Sequence, residues 1–374
     1  MSQSPRAFNF PLDSPVTAGI LPRSMSAPAA PSSRGILVLG MHRSGTSAVT
    51  RVLNLLGVQL GARILPPVPG DNDGGFWEHR DAFDVDERLL AGLGRSWHDA
   101  RELPAGWLES QAASHAEAEI ARLVRDEFAG APLWAVKDPR MCRLAPIWLR
   151  ALAANGVEPL ALFVVRHPAE VAASLRARNG WAPAHSLLLW TLHLLEAERA
   201  TRACARVMVT YDQVLGDWPE CLARISRSLD VVWPRQIGEA KAEIEAYLDA
   251  GARHHRAAAA AGDAAAVAVP ALVAELFDAC LALSRDGGTW GDLAAQADRF
   301  WPVAELYGAC LEDFGEYAQA VEEHAQRSEM TRALISLRRD VERIDQSVAS
   351  IERAIARRLR HRLEGAIRRW LHRR

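Results

Sequence analysis

The chain has 374 residues, 49% of them hydrophobic and 24% charged, and a formal net charge of −2. That length exceeds one typical domain and allows a sizeable core with appendages, while the near-neutral balance argues against a general nucleic-acid binder. The five cysteines (Cys142, Cys204, Cys221, Cys280, Cys310) are odd in number and lack C-x-x-C spacing. Neither a disulfide framework nor a zinc site is expected, and a reducing cytoplasmic setting fits them best.

Residues 1–33 are rich in Pro, Ser and Ala without periodicity and read as a disordered leader. They show no basic region followed by an apolar run, so no secretory signal is expected. The apolar run 36–39 predicts a buried strand, and "GMHRSGTSAV" after it predicts a turn opening a helix. Gly40 and Gly45 have the spacing of a phosphate loop, but Thr46 stands at the lysine position and Arg43 lies inside the loop. A backbone nest before a helix N-terminus binds an anion through N–H groups and the helix dipole. Gly45 lets the main chain approach such a ligand, and Ser44, Thr46 and Ser47 add hydroxyl groups. A triphosphate site would also want the lysine and a magnesium-holding aspartate. The plainer possibility is a turn that only joins strand to helix.

Further strand-length apolar runs fall at 132–138, 159–168 and 206–214, with helical patterns between them. Continuous apolar strands alternating with helices imply an α/β fold, a three-layer P-loop-like parallel sheet flanked by helices. Chemistry in such a sheet collects at the carboxyl ends of the strands. Polar groups stand at all four: His42-Arg43-Ser44, Lys137-Asp138, Arg166-His167 and Tyr211-Asp212.

Beyond about residue 234 the sequence turns to alanine-rich helix. The stretch 257–274 is mainly alanine, broken by Asp263 and Pro270, and is a poor membrane span. Apolar residues at 334, 337, 341, 344, 348, 351 and 355 form a coiled-coil seam of roughly three heptads. Leu359, Leu363, Ile367, Trp370 and Leu371 then continue as a basic amphipathic helix. Residues 331–374 hold thirteen arginines against five acidic side chains, a local +8 that leaves −10 for the rest. The expected organisation is a leader (1–33), a phosphate-binding domain (34–256), a helical extension (257–330) and a coiled coil with a basic helix (331–374). The seam is read as a homodimer contact, the basic helix as a peripheral contact with an anionic inner-membrane face, or the whole segment as a solvated helix docked on the domain.

The loop and one later block resemble the sulfotransferases that use 3′-phosphoadenylyl sulfate (PAPS). In that family a basic residue, Ser-Gly-Thr and Thr or Ser follow the first strand; here they are Arg43-Ser44-Gly45-Thr46-Ser47. A later Arg ending a strand and a Ser eight residues on hold the 3′-phosphate, and "VVRHPAEVAASL" supplies Arg166 and Ser174. The two motifs stand in the right order, about 120 residues apart. The resemblance covers about residues 35–256 and is nearer to bacterial members, on the blocks at 71–99, 137–148 and 181–199, than to the cytosolic phenol and steroid enzymes.

The resemblance implies that His42, Arg43, Ser44, Gly45, Thr46 and Ser47 grip the 5′-phosphosulfate and that Arg166 and Ser174 grip the 3′-phosphate. Arg253 and Arg256 in "RHHR" match a basic loop closing over that phosphate, though a free surface cluster reads nearly as well. Lys137 stands where relatives keep a lysine on the sulfonate; Pro139 stands where they keep a histidine base, so the base must lie elsewhere. Other branches use a glutamate from the segment after the first helix, which points to Glu78 in "GGFWEHR", a carboxylate flanked by Phe76 and Trp77 and so expected to be raised toward the range of a general base. Its competitors are His79, His98 and Asp138, and the structural alternative is a helix-start carboxylate. Arg43, Lys137 and Glu78 are therefore the expected catalytic residues, with no obligatory metal. Tyr211 resembles a block with a mostly structural role, while Trp190 and His193 read as core or acceptor-pocket wall. The expected activity is sulfuryl transfer to a hydroxyl, of the carbohydrate or glycoconjugate kind on family analogy alone. A P-loop kinase or triphosphatase, or a non-catalytic coiled-coil assembly protein, are the alternatives.

Overall fold

The computed structural model describes residues 33–68, 72, 74–260, 267–327, 337–347, 349, 350, 353 and 357, and gives no side chains for 250–260, 311, 312 and 314–327. Its centre is a four-stranded parallel sheet in the order β2-β1-β3-β4, formed by β1 (Arg34–Leu39), β2 (Leu133–Lys137), β3 (Glu158–Val165) and β4 (Ala205–Thr210). Side chains alternate between faces along a strand. Leu37 and Leu39 of β1, with Ala161, Phe163 and Val165 of β3, enter one core; Ile36 and Val38, with Leu160, Leu162 and Val164, enter the other. Two buried faces explain why these strands read as continuous apolar runs and not as alternating ones.

Helices α1 (Thr46–Leu55), α8 (Trp218–Leu229) and α9 (Ile237–Ala260) contribute to the second core. The first core is covered by α2 (Arg80–Gly92), α3 (Gln111–Phe128), α4 (Met141–Ala154), α5 (Pro168–Asn179) and α6 (Pro183–Ala200). The result is the expected three-layer α/β architecture. The apolar run expected through Val214 leaves the sheet at Thr210 for a structural reason. Thr210 and Gln213 close a capping box that starts the short helix α7 (Tyr211–Gly216).

Helices α10 (Ala271–Leu283) and α11 (Trp290–Arg327) lie within the span expected to be an extension. Val273, Leu276, Phe277, Cys280, Leu283, Leu293, Ala297, Phe300 and Ala304 are nevertheless buried in the same core as β3. Of the seven seam positions, 337, 341 and 344 are described; Leu337, Val341 and Ile344 are helical and exposed. The rest of the seam, and all of 358–374, lie outside the described residues. No described helix is long and apolar enough to cross a membrane.

Candidate phosphate-binding site

The site is built on the turn between β1 and α1. Gly40 ends the strand so close to β3 that a Cβ there would lie 2.4 Å from the Val164 carbonyl oxygen. Its N–H donates to Cys142 Sγ at 3.1 Å, fixing the loop against α4. Arg43 and Gly45 both adopt the left-handed conformation, at φ 69° and 89°. A Cβ on Gly45 would meet the Tyr211 ring at 2.2 Å. The loop closes through the Ser44 N–H on the Met41 carbonyl at 3.1 Å. Helix α1 then starts with no side-chain cap and no acidic residue in its first turn. An uncapped helix start leaves N–H donors and the positive dipole end facing whatever lies in the loop.

Two polar groups flank this helix start. On the β3 side, Arg43 Nε donates to Ser174 Oγ at 2.8 Å, joining two motifs 131 residues apart. Arg166, at the carboxyl end of β3, donates through Nη1 to the Arg43 carbonyl at 3.3 Å and pairs with Glu170 at 2.7 Å. Its guanidinium also lies over the Tyr211 ring, 5.4 Å from the centroid. The backbone of Arg166 is braced from below, where Trp190 Nε1 donates to its carbonyl at 3.2 Å.

On the β2 side, Lys137 Nζ, only 3% exposed, donates to Glu78 Oε1 at 2.5 Å, to the Phe76 carbonyl at 3.1 Å and to Ser47 Oγ at 3.2 Å. Asn72 Nδ2 also donates to Ser47 Oγ, at 3.3 Å. Glu78 does not lie on a helix. A short antiparallel bridge holds its backbone, with the Leu65 N–H on the Glu78 carbonyl at 2.8 Å and the Arg80 N–H on the Arg63 carbonyl at 2.7 Å. Burial raises the Glu78 carboxyl above its ordinary value, and the Lys137 charge offsets this in part.

The competing groups serve other tasks. His79 caps α2, its Nδ1 accepting from the Asp81 N–H at 3.2 Å, and its Nε2 faces Glu127 at 3.4 Å. Asp138 is fully buried, and its Oδ1 accepts from the Arg140 N–H and from Arg140 Nη1, each at 2.9 Å. His98 is exposed, edge-on to the Trp97 ring and tilted against that of Trp181. His193 is core, its ring held neutral by burial with a value of about 3. His42 lies with its ring 4.1 Å from that of Trp97, and burial and Arg140 push it well below the ordinary imidazole range. The backbone of Arg253 and Arg256 continues α9, and their side chains lie outside the described residues.

The structure thus brings Arg43, Arg166 and Ser174 into one group and Ser47, Lys137 and Glu78 into another, with the loop between them. Sequence reasoning missed Asn72, Glu170 and the packing of Tyr211 on Gly45. It also missed the aromatic group around Trp97 and Trp181, whose only signal was the density of Trp and His at 97, 98, 181 and 185.

Comparison with solved structures finds matches at low identity. The sulfotransferase domain from the curacin biosynthetic pathway matches with a TM-score of 0.33 and 18% identity, over 54% of this chain and 75% of that one. A sulfotransferase from Mycobacterium tuberculosis H37Rv matches with a TM-score of 0.31 and 16% identity, over 56% and 70%. Retinol dehydratase, solved with androsterone and the inactive cofactor PAP, matches with a TM-score of 0.27 and 13% identity, over 59% and 65%. The chain resembles solved sulfotransferases. No protein-family model matches the chain, and no curated protein does.

A sulfotransferase ligand of the PAPS type carries a 5′-phosphosulfate and a separate 3′-phosphate, and the residues present fit that division. Glycine at 40 and 45 lets the loop pack against the Val164 carbonyl and the Tyr211 ring, and the uncapped start of α1 that follows suits an anionic 5′ group. Ser44 Oγ is buried there with no hydrogen-bond partner among the described residues.

Proposed function

We propose that this protein transfers a sulfuryl group from PAPS to a hydroxyl of a carbohydrate or glycoconjugate acceptor. The observation that carries the reading is the pair of polar groups, each holding a cationic side chain, that flank one uncapped helix start. Arg43, Arg166 and Ser174 form one, and Ser47, Lys137 and Glu78 the other. PAPS, when bound, supplies an activated sulfuryl group whose bridging S–O bond to phosphate breaks as a new S–O bond to the acceptor forms.

The residues of the chain do the rest by position and charge. The amides of the loop and the start of α1 bind the 5′-phosphosulfate. Arg166 and Ser174 hold the 3′-phosphate, with Arg43 bridging from the loop. Lys137 carries the positive charge toward the sulfonate, and Ser47 ties that lysine to the loop. Glu78 accepts the proton of the acceptor hydroxyl; its raised carboxyl is a stronger base than an exposed glutamate.

Calorimetric titration with adenosine 3′,5′-bisphosphate (PAP), adenosine 5′-monophosphate and ATP with magnesium tests this. PAP is expected to bind more tightly than the monophosphate, and Arg166→Ala to remove most of that difference. Binding of ATP with magnesium and none of PAP would overturn the reading in favour of a kinase or triphosphatase.

A further inference from the structure

An aromatic group that the phosphate chemistry leaves unused adjoins the loop. It begins on His42, inside the loop, whose ring lies 4.1 Å from Trp97. Trp97 meets Trp181 at 4.9 Å, with the two planes inclined at 43°. His98 lies against both indoles, at 5.4 and 5.2 Å, and His185 meets Trp181 edge-on at 5.6 Å. The guanidinium of Arg178, one helical turn beyond Ser174, lies 5.6 Å from the Trp97 ring. Three separate segments therefore converge here: the loop, the stretch after α2 and the connection from α5 to α6.

Three features distinguish this group from core packing. Both indoles are half-buried and His98 is exposed, so the group forms an open wall. Neither the Trp97 nor the Trp181 indole N–H makes a hydrogen bond to the described residues, and each is left to solvent or a ligand. The cavity directly behind the loop, lined by Met41, Ser44, Cys142, Phe163, Trp190 and His193, measures ≈ 10 Å³, the room of about one water. An acceptor ring cannot enter it.

We propose that Trp97 and Trp181, edged by His98 and His185, are the acceptor platform of the site and hold a pyranose ring. The inference rests on the sulfuryl-transfer reading and adds the residues that select the acceptor. Indole faces stack on the axial C–H faces of a sugar ring, while the imidazoles and indole N–H groups at their edges meet its hydroxyls. A flat phenol or a steroid is better served by a closed apolar slot than by an open wall with imidazole edges. The His185 ring is held below its ordinary value by burial, and a hydrogen bond with the His98 backbone fixes it against the Trp181 indole.

Saturation-transfer NMR on the full chain with PAP present tests the platform, using the methyl pyranosides of glucose, galactose, mannose and N-acetylglucosamine beside phenol and cyclohexanol. At least one pyranoside is expected to receive transfer on its ring C–H protons, and phenol and cyclohexanol are expected to receive less. Trp181→Ala should weaken that pyranoside by roughly threefold to tenfold and Trp181→Tyr by less, both with PAP affinity unchanged. His98→Ala, an exposed change, should weaken it with no effect on folding. A chain that binds PAP yet shows no pyranoside contact, or a PAP-binding Trp181→Ala chain with wild-type pyranoside affinity, overturns the platform. Preference for phenol overturns the acceptor class. Failure of the wild type to bind PAP overturns the sulfuryl-transfer reading itself.

Discussion

Glu78 and Lys137 form a buried pair whose two members depend on each other. Removing Lys137 leaves a carboxylate uncompensated, so Lys137→Met is expected to lower stability by roughly 3–5 kcal/mol, read by denaturant unfolding. Glu78→Gln keeps the shape and removes the proposed base. Transfer rate should fall on the order of 10²–10⁴-fold while PAP affinity measured by calorimetry stays near the wild-type value. The raised carboxyl also fixes two opposite pH trends. A base works when deprotonated, so activity rises with pH through the raised value. Stability from this group behaves the other way: it is fully present below the ordinary glutamate value and is lost as pH rises through the raised one. The Tm of wild type relative to Glu78→Gln should therefore decline from acid to neutral pH, and a constant difference would contradict the burial argument. Sequence reading could propose each residue singly, Lys137 from the end of an apolar run and Glu78 from its neighbours. It could not join them, because 59 residues separate the partners and no local pattern records the contact.

At the scale of elements, the strands were legible because burial on both faces writes itself into composition. The order β2-β1-β3-β4 was not, since adjacency depends on which helices cross which face. Strand ends were legible where a turn signal coincided with them, as at Gly40. The end of β4 was misplaced because Thr210 and Gln213 interrupt an apolar run by capping, a signal subordinate to hydrophobicity in a first reading. The loop offers a sharp test of the element. Gly45→Ala adds a methyl where φ is 89° and where the Tyr211 ring stands 2.2 Å from the new atom. Backbone strain at such a position costs about 1–3 kcal/mol, and the ring must move as well. PAP affinity is expected to fall at least tenfold. Tyr211→Leu on the same background should recover only part of the loss, because it opens space and leaves the dihedral strained.

At the scale of the whole molecule, the helical region after α9 is part of the site's foundation. Phe277 of α10 packs its ring 4.9 Å from His167 and 6.2 Å from Trp190. Trp190 in turn holds the Arg166 carbonyl, so a residue 111 positions away supports the group formed by Arg43, Arg166 and Ser174. Composition marked the change of character beyond residue 234 but not this docking, since alanine-rich helices read alike whether they pack or project. Phe277→Ala is expected to cost roughly 3–5 kcal/mol in stability. It should also weaken PAP more than the monophosphate, which a purely global loss of stability would not do. The described part of the seam differs: Leu337, Val341 and Ile344 are exposed on their helix. Ending the chain at 330 should therefore leave both Tm and PAP affinity unchanged, whereas ending it at 266 removes Leu276, Phe277, Cys280 and Phe300 from the core and should abolish cooperative unfolding. A fall in PAP affinity on the shorter deletion would show that the basic segment reaches the nucleotide site. Unchanged affinity, with altered oligomeric mass or liposome binding, would assign it to assembly or to a membrane surface instead.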